Sequence, residues 1–489
     1  MASLIVHTAD GALRGQPLTA DGGRHARAWL GVPYAAPACG ALRFAPPRPH
    51  PGWTGVRDAR APAPDVLQPL DPSVTLARPA EGSLALNIWA PPEGHGHPVL
   101  LWLHGGAFRA GSGRLYDGRE YAARHGVVVV TVNSRLGPLG YANFGGLFGD
   151  ERFTPNPGYQ DQVEALRWVA ANIAAFGGDP ARITVGGQSA GAVAAALMLR
   201  DPQAAPLMAG AIVQSGTLNQ VSPWDNSLSL AQAYADVLGV GPRTVDRLLT
   251  LPPEAFVRAL HRLEQVRPRR LNSRPFLDGR VLPGGPEALL SAPAASVPLL
   301  LGAAREDYSL FVKVPDRIFP RTDRALLTRV MVPHLAPGQV RAVLAQYPDT
   351  PDGLVALGTD LFFHVGNDAL LGAHPPEAPV YRYRFDWGTR LFGLGATHGM
   401  DLLFLWPRPL GHASGLLRGG EAGRRTALAR QMQAAWAAFV HSGRPGPDWP
   451  AYTAQAPQVA GLSLSGLTLT TAGEQARRAL WHDTLVPMP

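Results

Sequence analysis

Short apolar runs alternate with helical patterns through the middle of the chain. Residues 98–103 and 127–132 are continuous apolar stretches of strand length, which is typical of strands buried on both faces. Between residues 160 and 176 apolar side chains recur at helical spacing, and Gly177-Gly178-Asp179-Pro180 is expected to stop that helix. Because strands alternate with helices, the pattern predicts an α/β protein with a large, mostly parallel central sheet flanked by helices.

The alternation of predicted strands and helices continues beyond residue 176. We expect further strands over residues 183–185, 210–214, 297–301 and 380–385, and helices over residues 190–200 and 426–440. Residues 1–90 alternate apolar stretches with Pro/Gly turns, which predicts a β-rich N-terminal segment. Residues 217–295 predict a helical cap insertion, with further inserted helices over about 312–375. Since no stretch has the composition of a flexible linker, residues 1–489 are expected to form a single domain.

Composition excludes several classes of function. Of 489 residues, 46% are hydrophobic, enough for a large core, and 44 basic against 37 acidic residues give a net charge of +7. The densest basic run, Arg267-Pro268-Arg269-Arg270, is too short for a basic face, so we expect no nucleic-acid partner. Lys313 is the only lysine, which excludes a P-loop, and the single cysteine, Cys39, excludes an intrachain disulfide and a cysteine zinc site.

The N-terminal residues and the apolar runs bear on location. Residues 1–7 have no basic segment followed by a long apolar stretch, so no signal peptide is expected. The apolar runs are of strand length and far shorter than the roughly 18 residues of a membrane span. We therefore expect a cytoplasmic protein with no membrane partner, and favour a monomer.

The first piece of candidate chemistry is Gly187-Gln188-Ser189-Ala190-Gly191. It matches Gly-x-Ser-x-Gly and lies between a predicted strand and a predicted helix. In that context the serine occupies a sharp strand-to-helix turn, which requires residues without side chains two positions on either side. The N-terminus of the following helix also directs backbone N–H groups at charge that develops beside Ser189. The alternative is a structural Gly-rich turn.

The second piece is His104-Gly105-Gly106-Ala107-Phe108, directly after the predicted strand over residues 98–103. A tetrahedral oxyanion needs hydrogen-bond donors fixed in advance, and small residues let main-chain N–H groups approach it closely. The segment therefore predicts an oxyanion loop, with a simple β-turn as the alternative.

A serine nucleophile needs a base, and the base needs an orienting carboxylate. Seven histidines lie beyond residue 307, namely His334, His364, His374, His398, His412, His441 and His482. His398 is the preferred candidate because it follows a predicted strand and a Gly-rich loop, and from the residues alone the other six stay open. Glu306 and Asp307 follow another strand, so two adjacent carboxylates are candidates for the acid. From the residues alone both acids stay open.

These motifs, taken together, resemble the type-B carboxylesterase family of the α/β-hydrolase fold, most of all its bacterial para-nitrobenzyl-esterase-type members. The resemblance runs nearly end to end. The matching segments are 31–35, 42–44, 86–89, 104–108, 161–162, 165–169, 176–180, 187–191, 214–216, 302–311, 398–404 and 448–450.

The resemblance implies a serine carboxylesterase that acts on small-molecule esters through an acyl-enzyme and needs no metal or cofactor. It implies Ser189 as nucleophile, His398 as general base and, when Gly302 is aligned, Asp307 rather than Glu306 as the acid. It also implies backbone donors for the oxyanion and polar groups around the base. The donors are Gly106, Ala107 and Ala190, and the surrounding groups are Gln188, Ser215, Glu306 and Asp401.

Three departures from the family pattern bear on the substrate and the acid. Gln188 stands where glutamate is common, and residues 65–83 contain no tryptophan where choline-specific members hold the cation. Both changes favour neutral esters over cationic ones. Tyr308 replaces the glycine that commonly follows the acid. An amidase or carbamate hydrolase with the same triad, and a catalytically silent interaction protein on the same fold, are the alternative functions.

Overall fold

The computed structural model describes residues 4–70, 78–267, 273–314, 322–406, 421–471 and 481. Its strands form an eleven-stranded sheet and a separate three-stranded sheet near the N-terminus. The strands are β1 (Ile5–Thr8), β2 (Gly11–Arg14), β3 (Gln16–Thr19), β4 (His25–Pro33), β5 (Val56–Asp58), β6 (Ala85–Ala90), β7 (His97–Leu103), β8 (Val128–Val132), β9 (Gly178–Gln188), β10 (Gly210–Gln214), β11 (Leu299–Ala304), β12 (Val380–Phe385), β13 (Gln458–Ser463) and β14 (Gly466–Thr471).

The large sheet has a parallel centre and antiparallel edges. Its order is β14-β13-β12-β11-β10-β9-β7-β8-β6-β4-β3, and every pairing from β13 to β8 is parallel. The pairings of β13 with β14, β8 with β6, β6 with β4 and β4 with β3 are antiparallel. In such a sheet, ligands bind in the crevice beyond the carboxyl ends of the parallel strands. Those ends of β7, β9 and β11 are followed by residues 104–108, Ser189 and residues 305–307.

The helices cover both faces of the sheet and supply the insertions. They are α1 (Arg119–His125), α2 (Gly137–Tyr141), α3 (Phe144–Phe148), α4 (Pro157–Asn172), α5 (Ala190–Met198), α6 (Trp224–Leu238), α7 (Arg247–Thr250), α8 (Glu254–Val266), α9 (Pro286–Ser291), α10 (Leu310–Lys313), α11 (Arg324–Met331), α12 (Pro337–Ala345), α13 (Pro351–Thr359), α14 (Val365–Gly372), α15 (Leu402–Leu405) and α16 (Ala422–Ser442).

Successive side chains of β7 face opposite sides of the sheet, and both sides are covered by helices. Val99, Leu101 and Leu103 pack in one core cluster with α4 and α5, whereas Leu100 and Trp102 pack in a second cluster with α15 and α16. Successive strand residues face opposite sides, so a strand that is apolar throughout must be covered twice. The continuous apolar run in the sequence therefore results in a fully buried central strand.

Most predicted elements are present, with different ends. The predicted strand over residues 183–185 is the C-terminal part of β9, which begins at Gly178. Of the four residues 177–180 that were expected to end the helix, only Gly177 does so, as the C-cap of a 3-10 turn with a φ of 92°. The next three residues already belong to β9. β9 pairs with β7 on one side and β10 on the other, and this pairing overrides the low strand propensity of Gly178 and Pro180.

Helices occupy the two regions where insertions are expected. Helices α6 to α9 lie within residues 217–295, and α11 to α14 lie within 312–375. A one-turn π-helix, Asp360–His364, joins α13 to α14. Residues 268–272, which include Arg269 and Arg270, and residues 315–321 lie outside the described part of the chain. The division into one catalytic domain with a helical cap stays a prediction.

Within the described ranges, no helix is both long enough and apolar enough to cross a membrane.

Candidate active site

Ser189 lies at the junction of β9 and α5, in a backbone conformation that few residues adopt. Its φ of 56° and ψ of −123° are outside the helical and extended regions. The N–H of Ser189 donates to the carbonyl oxygen of Gln214 on the neighbouring strand at 2.8 Å, which ties the turn to β10. Such strained residues persist only where the surroundings hold them, and they cluster at functional sites. The sequence prediction of a sharp strand-to-helix turn at Ser189 therefore agrees with the geometry.

Close backbone approaches explain the glycines around this turn. A Cβ on Gly187 would lie 2.4 Å from the carbonyl carbon of Gly191, and one on Gly191 would lie 2.0 Å from the oxygen of Leu103. A Cβ on Gly216 would lie 2.3 Å from the oxygen of Ser189. No side chain fits at these distances, so each of the three positions requires glycine.

The loop after β7 carries backbone N–H groups beside the turn. Gly106, Ala107 and Phe108 have φ values of 119°, 54° and 57°, and a Cβ on Gly106 would overlap the carbonyl oxygen of Ala110 at 1.9 Å. No described residue accepts a hydrogen bond from the N–H of Gly106, Ala107 or Ala190. Three unpaired N–H groups, two of them on positive-φ residues, are the donors that an oxyanion hole requires.

His398 and Asp307 form a hydrogen bond next to this turn. Nδ1 of His398 lies 2.5 Å from Oδ1 of Asp307, whose side chain is fully buried. The second oxygen of Asp307 accepts hydrogen bonds from the Ser215 hydroxyl at 2.6 Å and from the Ala304 N–H at 2.8 Å. Because both oxygens are engaged, the carboxylate is fixed in orientation, and Nδ1 of the imidazole is the nitrogen that donates to it.

Glu306 contacts a different part of the same loop. Its Oε2 accepts from the Ala396 N–H at 2.8 Å, its own N–H donates to the Ala396 oxygen at 3.0 Å, and its Oε1 accepts from Arg305 at 2.6 Å. The structure therefore brings Asp307 to the imidazole and places Glu306 on the backbone two residues before it. Both acids hold the histidine loop, but only Asp307 contacts the ring.

Gln188 contacts the other imidazole nitrogen. Its Nε2 lies 3.3 Å from Nε2 of His398, and its side chain is buried. Since Nδ1 donates to Asp307, Nε2 of a neutral imidazole is an acceptor, and the Gln188 amide donates to it. A neutral amide therefore occupies the position where the resemblance leads one to expect a carboxylate.

Asp401 is fully buried and lies one layer further from the ring. Its Oδ2 accepts from Gln214 at 2.8 Å and from the Tyr383 hydroxyl at 3.1 Å, and its Oδ1 accepts from the Leu402 N–H at 3.0 Å. Burial raises the pKa of Asp401, and the nearby charge of Asp307 raises it further. The hydrogen bonds of Asp401 therefore go to Gln214, Tyr383 and the Leu402 backbone, and none of them is to His398.

Two aromatic residues at the imidazole were not identified from the sequence. Phe363 stacks on the His398 ring at a centroid distance of 5.1 Å, and Phe311 lies at 6.1 Å. Phe363 belongs to the π-helix, whose geometry the helical periodicity of the sequence does not encode. By contrast, Phe404 and Trp406, which are near His398 in sequence, are buried in the second core cluster.

Tyr308, the departure beside the acid, has its own packing site. Its ring stacks on Phe311 at 4.8 Å and lies against Gly358, where a Cβ would come within 2.1 Å of the ring. Its N–H donates to Thr359 at 3.1 Å. A large side chain after Asp307 is therefore accommodated by the absence of one at position 358. In the described ranges, no three or more His, Cys, Asp or Glu side chains form a group that could hold a metal ion.

Comparisons with known proteins identify the family of the chain. A model of the carboxylesterase family matches residues 2–481. The chain is 35% identical to a para-nitrobenzyl esterase of Bacillus subtilis (strain 168) over 92% of this chain and 93% of that protein. A solved PNB esterase structure superposes with a TM-score of 0.88 at 34% identity, covering 97% of this chain and 99% of the other. The carboxylesterase EST55 of Geobacillus stearothermophilus gives 0.85 at 33% identity, with 98% and 100% covered.

The family model matches residues 2–481 and the solved structure covers 97% of this chain, so they confirm the α/β-hydrolase fold and the family resemblance predicted from the sequence motifs. The chain belongs to the carboxylesterase family and is a carboxylic-ester hydrolase.

Proposed function

We propose that the protein is a serine carboxylesterase that hydrolyses neutral carboxylic esters through an acyl-enzyme. Ser189 is the nucleophile, His398 the general base, and Asp307 the carboxylate that orients it. The observation that carries the proposal is the 2.5 Å contact between Asp307 and Nδ1 of His398, beside a serine held at a strained strand-to-helix turn. This is the arrangement of nucleophile, base and orienting acid that acyl transfer requires.

The steps follow from these positions. The Ser189 hydroxyl oxygen attacks the ester carbonyl carbon while Nε2 of His398 accepts its proton, and Asp307 stabilises the imidazolium. The N–H groups of Gly106, Ala107 and Ala190 donate to the oxyanion. His398 then returns the proton to the leaving alcohol, and the acyl group stays on Ser189. Water repeats the sequence on the acyl-enzyme and releases the carboxylic acid.

The Gln188 amide adds a condition to the first step. It donates to the same Nε2 lone pair that must take the serine proton, at a separation of 3.3 Å. The Gln188 amide must therefore give up its hydrogen bond to Nε2 of His398 before the Ser189 hydroxyl can transfer its proton to that nitrogen. A neutral amide at position 188 also offers no negative charge to a cationic substrate, which supports neutral esters as substrates.

The proposal is tested by labelling and by a substrate screen. A fluorophosphonate should label the wild-type protein and not Ser189→Ala, and kcat for an aryl ester should fall by roughly 10³-fold or more in Ser189→Ala and in His398→Ala. Equal labelling of Ser189→Ala would identify another nucleophile. Matched esters, amides and carbamates of one acyl group distinguish an esterase from an amidase or carbamate hydrolase, which would turn over the amide or carbamate at least as fast as the ester.

The remaining partner and location predictions belong to the same proposal. The substrate is a small molecule, and the protein acts in the cytoplasm as a monomer without a metal, a cofactor or a nucleic-acid partner. Size-exclusion chromatography with light scattering, and activity after exhaustive dialysis against a chelator, test the oligomeric state and the independence from metal.

A further inference from the structure

One face of the His398 imidazole is covered by the ring of Phe363. The two ring centroids are 5.1 Å apart and the ring planes are inclined by 28°, so the rings stack. Only 3% of Phe363 is exposed. Asp307 contacts Nδ1 at the edge of the imidazole, and a single contact at the edge still lets the ring tilt about it. A close-packed ring against the face of the imidazole removes that freedom.

Phe363 belongs to the π-helix Asp360–His364, between α13 and α14. The N–H of Val365 donates to the carbonyl oxygen of Asp360, five residues earlier, so this turn holds one residue more than an α-helical turn. The extra residue changes which side chains face the imidazole, compared with a continuous α-helix. Single π-helical turns are uncommon and occur frequently at functional sites. The contact between Phe363 and the proposed general base is a specific reason for one here.

The carboxylate of Asp360 holds the π-helix at its first residue. Its Oδ1 lies 2.8 Å from Nδ1 of His364, the last residue of the same turn. Its Oδ2 accepts a hydrogen bond from the hydroxyl of Tyr347, after α12, at 2.7 Å. Asp360 is fully buried, so both contacts are shielded from water. The two ends of the turn are therefore joined to each other and to a neighbouring helix.

The segment that follows β10 contacts both the acid and the π-helix. Ser215 donates to Asp307 at 2.6 Å. Asn219 and Gln220, a few residues later, donate to two consecutive carbonyl oxygens of the π-helix at 2.9 Å and 3.2 Å. One short segment therefore fixes the carboxylate at the edge of the imidazole and the turn that places a ring on its face.

We propose that Phe363 is a positioning residue for the general base: its ring, held by the π-helix, keeps the His398 imidazole in the orientation in which Nδ1 donates to Asp307 and Nε2 accepts the serine proton. This inference rests on the proposed function, in which His398 is the base. Phe363 acts through the imidazole and not on the substrate. Its loss therefore slows proton transfer in acylation and in deacylation and leaves ester binding unchanged.

Phe363→Leu tests the proposal, because leucine stays apolar but has no planar face. We expect kcat on p-nitrophenyl butyrate to fall by about three- to tenfold, the scale of one aromatic contact. The dissociation constant of the intact ester, titrated against each variant in the Ser189→Ala background, should change by less than about twofold. Phe362→Leu is the matched control, since this neighbouring ring of the same turn packs on Tyr308 at 4.6 Å instead of on the imidazole. It should keep kcat within about twofold of wild type.

Two further measurements separate positioning of the base from a general loss of packing. Proton NMR detects the Nδ1 proton shared by His398 and Asp307 as a downfield resonance, which Asp307→Asn identifies by its loss. This resonance should broaden in Phe363→Leu, because a looser imidazole exchanges the proton with water faster, and should stay sharp in Phe362→Leu. Phe363→Tyr keeps the planar face and should retain more of the wild-type kcat than Phe363→Leu does.

Several outcomes would overturn the proposal. They are a wild-type kcat in Phe363→Leu, an equal fall in Phe363→Leu and Phe362→Leu, and a loss that lies entirely in weaker ester binding, which would make Phe363 a wall of the substrate pocket. If Phe363→Leu does not fold, Phe363→Met, which is also apolar and not planar, is judged by the same outcomes. Full activity in His398→Ala would instead contradict the proposed function itself, so the two failures are distinguishable.

Discussion

Asp307 and His398 are 91 positions apart in the chain, and their side chains meet at 2.5 Å through Oδ1 and Nδ1. The loops that carry them are joined along their length. Glu306 bonds the backbone of Ala396, the Ser309 hydroxyl donates to the oxygen of Leu394 at 2.6 Å, and the Leu310 N–H donates to Thr397 at 3.1 Å. The position of the imidazole is therefore set by several hydrogen bonds between the two loops as well as by its contact with Asp307.

The two adjacent acids should differ sharply when each is replaced by its amide. Asp307→Asn should lower kcat by about 10³–10⁴-fold, because an amide at this position no longer fixes the imidazole tautomer. Glu306→Gln should cost less than about tenfold, since a glutamine carbonyl can still accept from the Ala396 N–H. Steady-state kinetics on a p-nitrophenyl ester, with circular dichroism as a check on folding, measures both. A larger loss in Glu306→Gln than in Asp307→Asn would reverse the assignment.

The turn at Ser189 was predictable because most of its requirements are local. Strand, glycine spacing and helix all lie within the chain from Gly178 to Met198, and Gly187 is required by the nearby backbone of Gly191. Gly191 itself is required by Leu103 on the neighbouring strand, which the local sequence does not show. The candidate acids and His398 could also be located, since each follows a predicted strand. The choice between Glu306 and Asp307 rested on the family resemblance, because sequence position alone leaves two adjacent carboxylates equivalent.

The aromatic environment of the base was not predictable from the chain. Phe363 reaches His398 from a π-helix in an insertion whose packing depends on contacts with distant residues. One such contact is the donation from Asn219 to the oxygen of Leu361 at 2.9 Å. The extent of β9 was missed for a related reason: its first residues have poor strand propensity and are extended because β7 and β10 pair with them.

Gln188→Glu should shift the pH dependence of catalysis. A carboxylate at this buried position, against Nε2 of His398, stabilises the protonated imidazolium, so the acid limb of the kcat/KM profile should move to higher pH by about one unit. Gln265→Glu, on the exposed face of α8, controls for one added negative charge. Profiles of kcat/KM from pH 5 to 9 for a neutral ester measure the shift. Identical acid limbs in the wild type and Gln188→Glu would show that residue 188 does not contact the base in solution.

Asp401 should make the stability of the protein depend on pH in a defined direction. Burial raises its pKa in the folded state, so the folded protein holds this proton more tightly than the unfolded chain does. Its contribution is therefore fully present below the unfolded pKa and is lost as pH rises through the folded pKa. Asp401→Asn lacks this titration, so its free energy of unfolding should improve relative to wild type as pH rises from about 4 to 8.

Urea unfolding at several pH values measures that difference, and the exposed Asp225→Asn controls for the loss of one carboxylate. The quantity compared is how the difference in the free energy of unfolding between Asp401→Asn and wild type changes with pH. A cost from the altered hydrogen bonds to Gln214 and Tyr383 that is the same at every pH therefore cancels. A difference between Asp401→Asn and wild type that stays constant, or that worsens for the variant as pH rises, would contradict the prediction.

The charge of the substrate provides the last prediction. A choline ester needs its cation held by an aromatic face, an interaction of about 0.5–2 kcal/mol, and by nearby negative charge. Residues 65–83 contain no tryptophan, Gln188 is neutral, and the protein carries a net charge of +7. A neutral ester loses nothing from these features, because apolar walls recognise its acyl and alcohol groups. We therefore expect neutral esters to exceed matched choline esters by at least about tenfold in kcat/KM, or about 1.4 kcal/mol. Comparing butyrylcholine with a neutral butyrate ester of similar leaving group decides this, and equal efficiencies would reveal a cation site formed by other residues.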